Sequence, residues 1–316
     1  MSRMGITRHT VGSSNTAARQ DPRPNWAHVT GTFKAIEHRF AIRSTHVGIG
    51  RFIEEMFDPF GVVDEEPVTW YSIIDSLPGR GRHALDVDQA RVVEGAKASR
   101  VIDYLIQHVN RAAIRSGDDR VLVHAAAAEL DGVGVLLPAD MEAGKTTLVA
   151  GLVKAGFGYL TDEAAVIDPE SLQLHPYPKP LSIDPGSWSV LADLAPRVDS
   201  STRPYFEEQW QVPATRISPT AISGRTDAAL VIFPRYTPGV ETRVEPVSKS
   251  QAMLILLEQT FRFHSAGRRN LEVLARFLEG VRCYRLEGGD LGESCRAVTQ
   301  LANEARTSRG SRSAAT

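Results

Sequence analysis

Lys145 and Thr146 close the segment Leu136–Leu148, "LLPADMEAGKTTL", directly behind Gly144. A Gly-Lys-Thr triplet between a strand and a helix suits one kind of chemistry, the holding of phosphate. Backbone N–H groups and the helix N-terminus form an anion cradle. The lysine adds a point charge for the outer phosphates, and the threonine hydroxyl is placed to ligate Mg²⁺. The pattern G-x-x-x-x-G-K-[ST] asks for glycine at position 139, where the chain has Ala139. Ala139 keeps its N–H but loses some of glycine's freedom in φ. Asp140 and Glu142 put carboxylates inside the loop, where they repel a triphosphate unless they turn to solvent or hold metal. The nucleotide-binding segment is read as Ala139, Asp140, Met141, Glu142, Ala143, Gly144, Lys145, Thr146 and Thr147.

Further candidates lie around this loop. Asp162 and Glu163 follow it by one helix, just after "YLT". Acids at the end of a neighbouring strand hold Mg²⁺ or accept a hydroxyl proton, so Thr146, Asp162 and Glu163 form the expected metal set. Taken alone, the pair reads more readily as a turn of solvated acids; beside the loop, the functional reading leads. His124 lies in "VLVHAAAA", where a histidine is more often a core residue. Its place just upstream of the loop's strand makes it a candidate for the γ-phosphate or the acceptor. Lys179, in the proline-rich "HPYPKPLSIDPG", and Arg235, in "FPRY", are candidate phosphate contacts or ordinary surface cations.

These residues need elements to carry them. Apolar residues at helical spacing (Val101, Ile102, Leu105, Ile106, Val109) predict a helix over much of Arg100 to Ile114, broken at Ser116–Arg120. "VLVHAAAAEL" and "VGVLLPA" are apolar runs joined by Asp131-Gly132, which predicts a β-hairpin or adjacent strands. "KTTLVAGLVKAG" predicts a helix ended by Gly156. A strand, the acidic pair and a second strand follow. "AALVIFPRY" and "VRCYRL" read as strands, and "SKSQAMLILLEQTF" and "NLEVLARFLEG" as helices. This alternation predicts a layered α/β core from about Val121 to Leu301. The chain divides into a polar tail at 1–25, an N-terminal α/β region at 26–117 for substrate or partner recognition, a P-loop domain at 118–305 and a polar tail at 306–316. Both tails lack periodicity and are expected to be disordered.

Bulk properties exclude several classes. The 316 residues are 42% hydrophobic and 23% charged, as in a globular protein. Lys plus Arg (36) against Asp plus Glu (38) leaves a net charge of −2, which removes the global argument for nucleic acid or a membrane surface. Cys283 and Cys295 have no metal-type spacing, and a reducing compartment fits. With no secretory signal and no membrane-length apolar run in the sequence, a cytoplasmic location is expected.

The order of segments from Val121 to Leu301 resembles the catalytic domain of HPr kinase/phosphorylase. In that family a histidine-bearing strand, a strand, a Walker A loop, a helix and a strand with paired acids succeed one another. Here the matching features are His124, the 139–146 loop and Asp162-Glu163. The likeness is closer to the HPr-kinase-like proteins found beside peptide-modification enzymes, through "YPKPLS" at Tyr177–Ser182 and "FPRY" at Phe233–Tyr236. The resemblance implies an α/β P-loop fold and transfer of phosphate from ATP, with Mg²⁺, to a serine of a small protein or peptide. By the same resemblance Lys145 would hold the β- and γ-phosphates and Thr146 the Mg²⁺. Asp162 would act as base or at the metal, assisted by Glu163, with His124 near the transferred group. Relatives assemble into homo-oligomers. The competing reading, from the unusual loop, is a non-catalytic nucleotide-binding or scaffold protein.

Overall fold

The computed structural model describes residues 25–75, 83–95, 97–117, 119–198, 200, 202–261 and 263–313. Apart from Asn25, the expected N-terminal tail lies outside the described residues.

The first sheet is built from β1 (His28–Val29), β2 (Thr32–Ala35), β3 (His38–Ser44), β4 (Val62–Val63), β5 (Thr69–Ile74), β6 (His83–Val87) and β7 (Ala90–Gly95). Its order is β4-β2-β3-β5-β6-β7, with β1 on β3. Helix α1 (Val47–Phe57) makes the crossover between the parallel strands β3 and β5. Helix α2 (Ser99–Ser116) follows β7 and covers the helical pattern seen in the sequence. Alternation in the strands puts Phe33, Phe40, Ile42 and Tyr71 into one core with Ile53 and Met56 of α1 and Leu105 and Val109 of α2. Leu122, Ala164, Val166 and Tyr177 join the same core, so the N-terminal sheet is packed directly against the strands that carry the candidate site.

The second sheet begins with β8 (Val121–Leu130) and β9 (Val133–Pro138), an antiparallel hairpin. Asp131 and Gly132 have φ of 50° and 80°, the left-handed pair that a type I′ turn requires. Helix α3 (Lys145–Lys154) follows the 139–144 loop and ends at Gly156, whose φ is 98°. Strands β10 (Gly158–Thr161) and β11 (Ala164–Ile167) both lie along one edge of β8, so Asp162-Glu163 interrupts what is otherwise one long strand. After β12 (Gln173–His175), β13 (Leu181–Ile183) pairs only with β14 (Trp210–Val212). Strand β15 (Thr226–Tyr236) runs parallel to β9 and also pairs with β12, which itself pairs with β11. Strands β8, β11, β12, β15 and β9 therefore close a ring. On its far side β15 pairs with β17 (Arg282–Gly288), which pairs in turn with β16 (Arg243–Pro246).

Helices cover both faces of this sheet, as an α/β layer requires. Ala126 and Ala128 of β8 pack with α3 and with α6 (Leu291–Ser313). Val123, Ala125 and Ala127 pack on the opposite face with α4 (Lys249–Glu258) and α5 (Phe263–Glu279). The expected tail from Arg306 is a correction. Helix α6 continues to Ser313, and residues 314–316 lie outside the described part. Val298, Leu301, Ala302 and Ala305 anchor its earlier turns in the core, and Arg306 pairs with Asp131. Once those turns are fixed, each further residue adds a hydrogen bond without a new nucleation cost.

Gly134 shows how tightly β9 sits. A Cβ there would meet the Asp227 carbonyl oxygen at 2.8 Å and Ala228 Cα at 3.2 Å, both backbone atoms of β15. Gly134→Ala is expected to destabilise the fold by about 1–3 kcal/mol through overpacking, read as a lowered midpoint in urea unfolding.

Candidate functional site

The loop between β9 and α3 is closed by its own lysine. Lys145 is buried, and its Nζ donates to the carbonyls of Ala139 and Asp140, both at 2.7 Å. An ammonium has three N–H groups, so one remains for a phosphate oxygen. Burial lowers the Lys145 pKa, while the nearby carboxylates of Glu163, Asp140 and Asp162 favour its charged form. Gly144 takes φ 87° with its Cα pressed toward Tyr236, since a Cβ would stand 3.3 Å from Tyr236 Cβ. Glu142 has φ 63°, a left-handed conformation unusual for a residue with a side chain. Its side chain is exposed, as is that of Met141 at 81%. Glutamate thus stands where the loop's left-handed backbone would fit glycine best.

Asp162 is the hub beneath the loop. Its Oδ2 accepts from the Thr146 hydroxyl at 3.2 Å and from the Ser182 N–H at 3.3 Å. Its Oδ1 accepts from the Tyr159 hydroxyl and from Lys179 Nζ, each at 2.9 Å. Burial, reinforced by the charge of Asp162, holds the Tyr159 hydroxyl well above the ordinary tyrosine range, so it stays a neutral donor. Both Asp162 oxygens are therefore occupied by protein donors. That arrangement suits orientation of Thr146.

Lys179 is a second correction. The proline-rich segment carries it inward, and its side chain and that of Asp162 are each 1% exposed. Besides Asp162 it donates to the Pro180 carbonyl at 2.9 Å and to Ser182 Oγ at 3.2 Å. All three donors are used inside the protein, so none is left for phosphate. Ser182 Oγ passes the network on to Gln211 Oε1 at 3.0 Å.

His124 and Glu163 flank the loop from the other side. His124 pairs across the sheet with Ala164, and Ala125 N–H donates to the Glu163 carbonyl. His124 Nδ1 lies 3.1 Å from Gln259 Oε1, and Gln259 Nε2 lies 2.7 Å from Asp140 Oδ1. The Asp140 carboxylate is thus turned to an amide partner. Gln259, at the end of α4, and Tyr159 were missed in the sequence. A single glutamine after a helix carries no local signal.

Arg235 ends its strand with a side chain 75% exposed, 4.0 Å from Glu287. It lines a cleft of about 1960 Å³ together with Tyr236, Lys145, Thr146, Thr147 and Ser187. Thr147 Oγ1 and Ser187 Oγ, 2.6 Å apart, tie the start of α3 to the opposite wall. Asp162, Lys179, His124 and Glu163 are not on this wall.

Among the described residues no cluster of three or more His, Cys, Asp or Glu could hold a metal by itself. The donors present nevertheless fit Mg²⁺ shared with phosphate. Thr146 spends its proton on Asp162 and keeps oxygen lone pairs for a hard cation, which takes its other ligands from phosphates and water.

No family model and no curated protein matches this chain. A solved structure that it resembles is "Structure of the Hpr(Ser) kinase/phosphatase from Coxiella burnetii", with 14% identity and a TM-score of 0.32. The match covers 60% of this chain and 98% of that one. A likeness this loose carries no argument about function. No helix among the described residues is long and apolar enough to cross a membrane.

Lys179→Met strands a buried carboxylate, and about 3–5 kcal/mol of stability is expected to be lost. Adding Asp162→Asn should recover part of it. Urea unfolding of the single and double variants measures both. Glu142→Gly relieves the left-handed strain and is expected to raise stability by about 1 kcal/mol, read in the same experiment.

Proposed function

We propose that this chain is an ATP-dependent phosphotransferase, serine-kinase-like, that moves the γ-phosphoryl group to a hydroxyl of a small protein or peptide. One observation carries the reading. A lysine ammonium, a threonine hydroxyl and a buried carboxylate converge at the N-terminus of α3, with Thr146 bonded to Asp162 at 3.2 Å and Lys145 folded under the loop. Phosphoryl transfer asks a protein mainly for positioning and charge neutralisation. The loop N–H groups from Ala143 to Thr147 and the helix N-terminus would receive the phosphates. Lys145 would exchange its loop carbonyls for phosphate oxygens. Thr146, oriented by Asp162, would hold Mg²⁺, whose contribution is to neutralise charge on the phosphates. Arg235, exposed on the cleft wall, would reach phosphate or the acceptor.

A second reading, a scaffold that binds nucleotide without transferring phosphate, is favoured by the strained Glu142 in the loop. Transfer of labelled γ-phosphate to acceptor peptides separates the two. Under the first reading Lys145→Ala and Asp162→Asn each lower transfer by at least roughly 10²-fold while the circular dichroism spectrum is kept. Wild-type protein that binds ATP and labels no serine peptide or protein of its source cell would favour the scaffold.

A further inference from the structure

The chain from Asp140 through Gln259 to His124 settles a proton position. Asp140 Oδ1 lies 2.7 Å from one terminal atom of the Gln259 amide. A carboxylate only accepts, so that atom is the NH₂ nitrogen and the other end of the amide is its oxygen. The oxygen, Oε1, lies 3.1 Å from His124 Nδ1. An amide oxygen also only accepts, so Nδ1 must carry a proton. A neutral ring with its proton on Nε2 would leave the Nδ1–Oε1 contact without a proton. The backbone fixes the partners as well, because His124 N–H donates to the Gln259 carbonyl at 2.7 Å. The edge of the His124 ring meets Phe261, with centroids 6.0 Å apart, which limits rotation.

We infer that Asp140 and Gln259 are positioning residues that lock His124 in its Nδ1–H form, leaving Nε2 as the base for the acceptor hydroxyl. The base role rests on the phosphotransfer proposed above; the tautomer lock does not. Both Asp162 oxygens, by contrast, accept from protein donors. In the step, the acceptor O–H proton passes to His124 Nε2, and the freed oxygen pair forms the bond to the γ-phosphorus. The bond from that phosphorus to the bridging oxygen of the β-phosphate breaks, and ADP leaves with its electron pair. His124 becomes a cation whose Nδ1–H still donates to Gln259. The acid that looks misplaced in a phosphate loop thereby gains a purpose.

The test is long-range ¹H–¹⁵N correlation of the full-length labelled chain, with His124 assigned by its loss in His124→Gln. Wild-type protein at a pH where the ring is neutral should show the proton on Nδ1. Asp140→Asn lets residue 140 donate, so the Gln259 amide is free to turn. Gln259→Met removes the amide. In both, His124 should move toward the Nε2–H form that histidine prefers in water. A wild-type ring protonated on Nε2, or a tautomer unchanged in both variants, would overturn the lock. With an acceptor in hand, His124→Gln should lower kcat by about 10²-fold, and Asp140→Asn and Gln259→Met should lower kcat while KM for ATP holds. A kcat within twofold of wild type in His124→Gln would overturn the base role. Wild-type protein without transfer activity would defeat the phosphotransfer reading and the base role with it, while the spectra still judge the lock.

Discussion

The buried ion pair between Asp162 and Lys179 organises the site. Two charges this deep survive only when geometry and hydrogen bonds compensate their lost hydration. The compensation here is extensive: Tyr159, Thr146 and Ser182 serve the carboxylate, and Pro180 and Ser182 serve the ammonium. The partners come from three segments, so the pair ties the α3 start, the β10–β11 region and the proline-rich segment to one point. Thr146 can face phosphate in a fixed orientation because the groups behind it cannot move independently.

The loop above this pair departs from the familiar phosphate-binding form in ways the structure explains. Ala139 is buried and contributes its carbonyl to Lys145, a role that needs no glycine. Asp140 is drawn aside to Gln259. Glu142 keeps the left-handed backbone that a glycine would adopt without strain, and sends its side chain outward. The two acids that look hostile to a triphosphate thus lie against an amide and in solvent.

Much of the fold was legible in sequence because it is local. The Asp131-Gly132 turn, the helix ended by Gly156 and the strand, acid pair, strand order of Gly158–Ile167 all follow from period and turn chemistry, and the structure shows them. Lys145, Thr146 and Asp162 were legible as a group, since a motif and one intervening helix define their spacing. Lys179 was misread because direction is not local: prolines predict an extended segment but not whether its lysine points to solvent or core. Gln259 was invisible for the same reason, as its partner Asp140 is 119 residues away. The end of α6 was read as a tail because its own residues are polar, while its anchorage lies earlier in the helix.

The claim on which the account turns is that this loop is a working nucleotide cradle. Isothermal titration of the full-length protein with ATP–Mg²⁺, beside Lys145→Ala, tests it most directly. The account predicts saturable binding by the wild type that weakens by at least roughly tenfold in the variant, the loss of one charge-assisted hydrogen bond. Equal affinity in the two proteins, or no binding by the wild type at millimolar nucleotide, would contradict it.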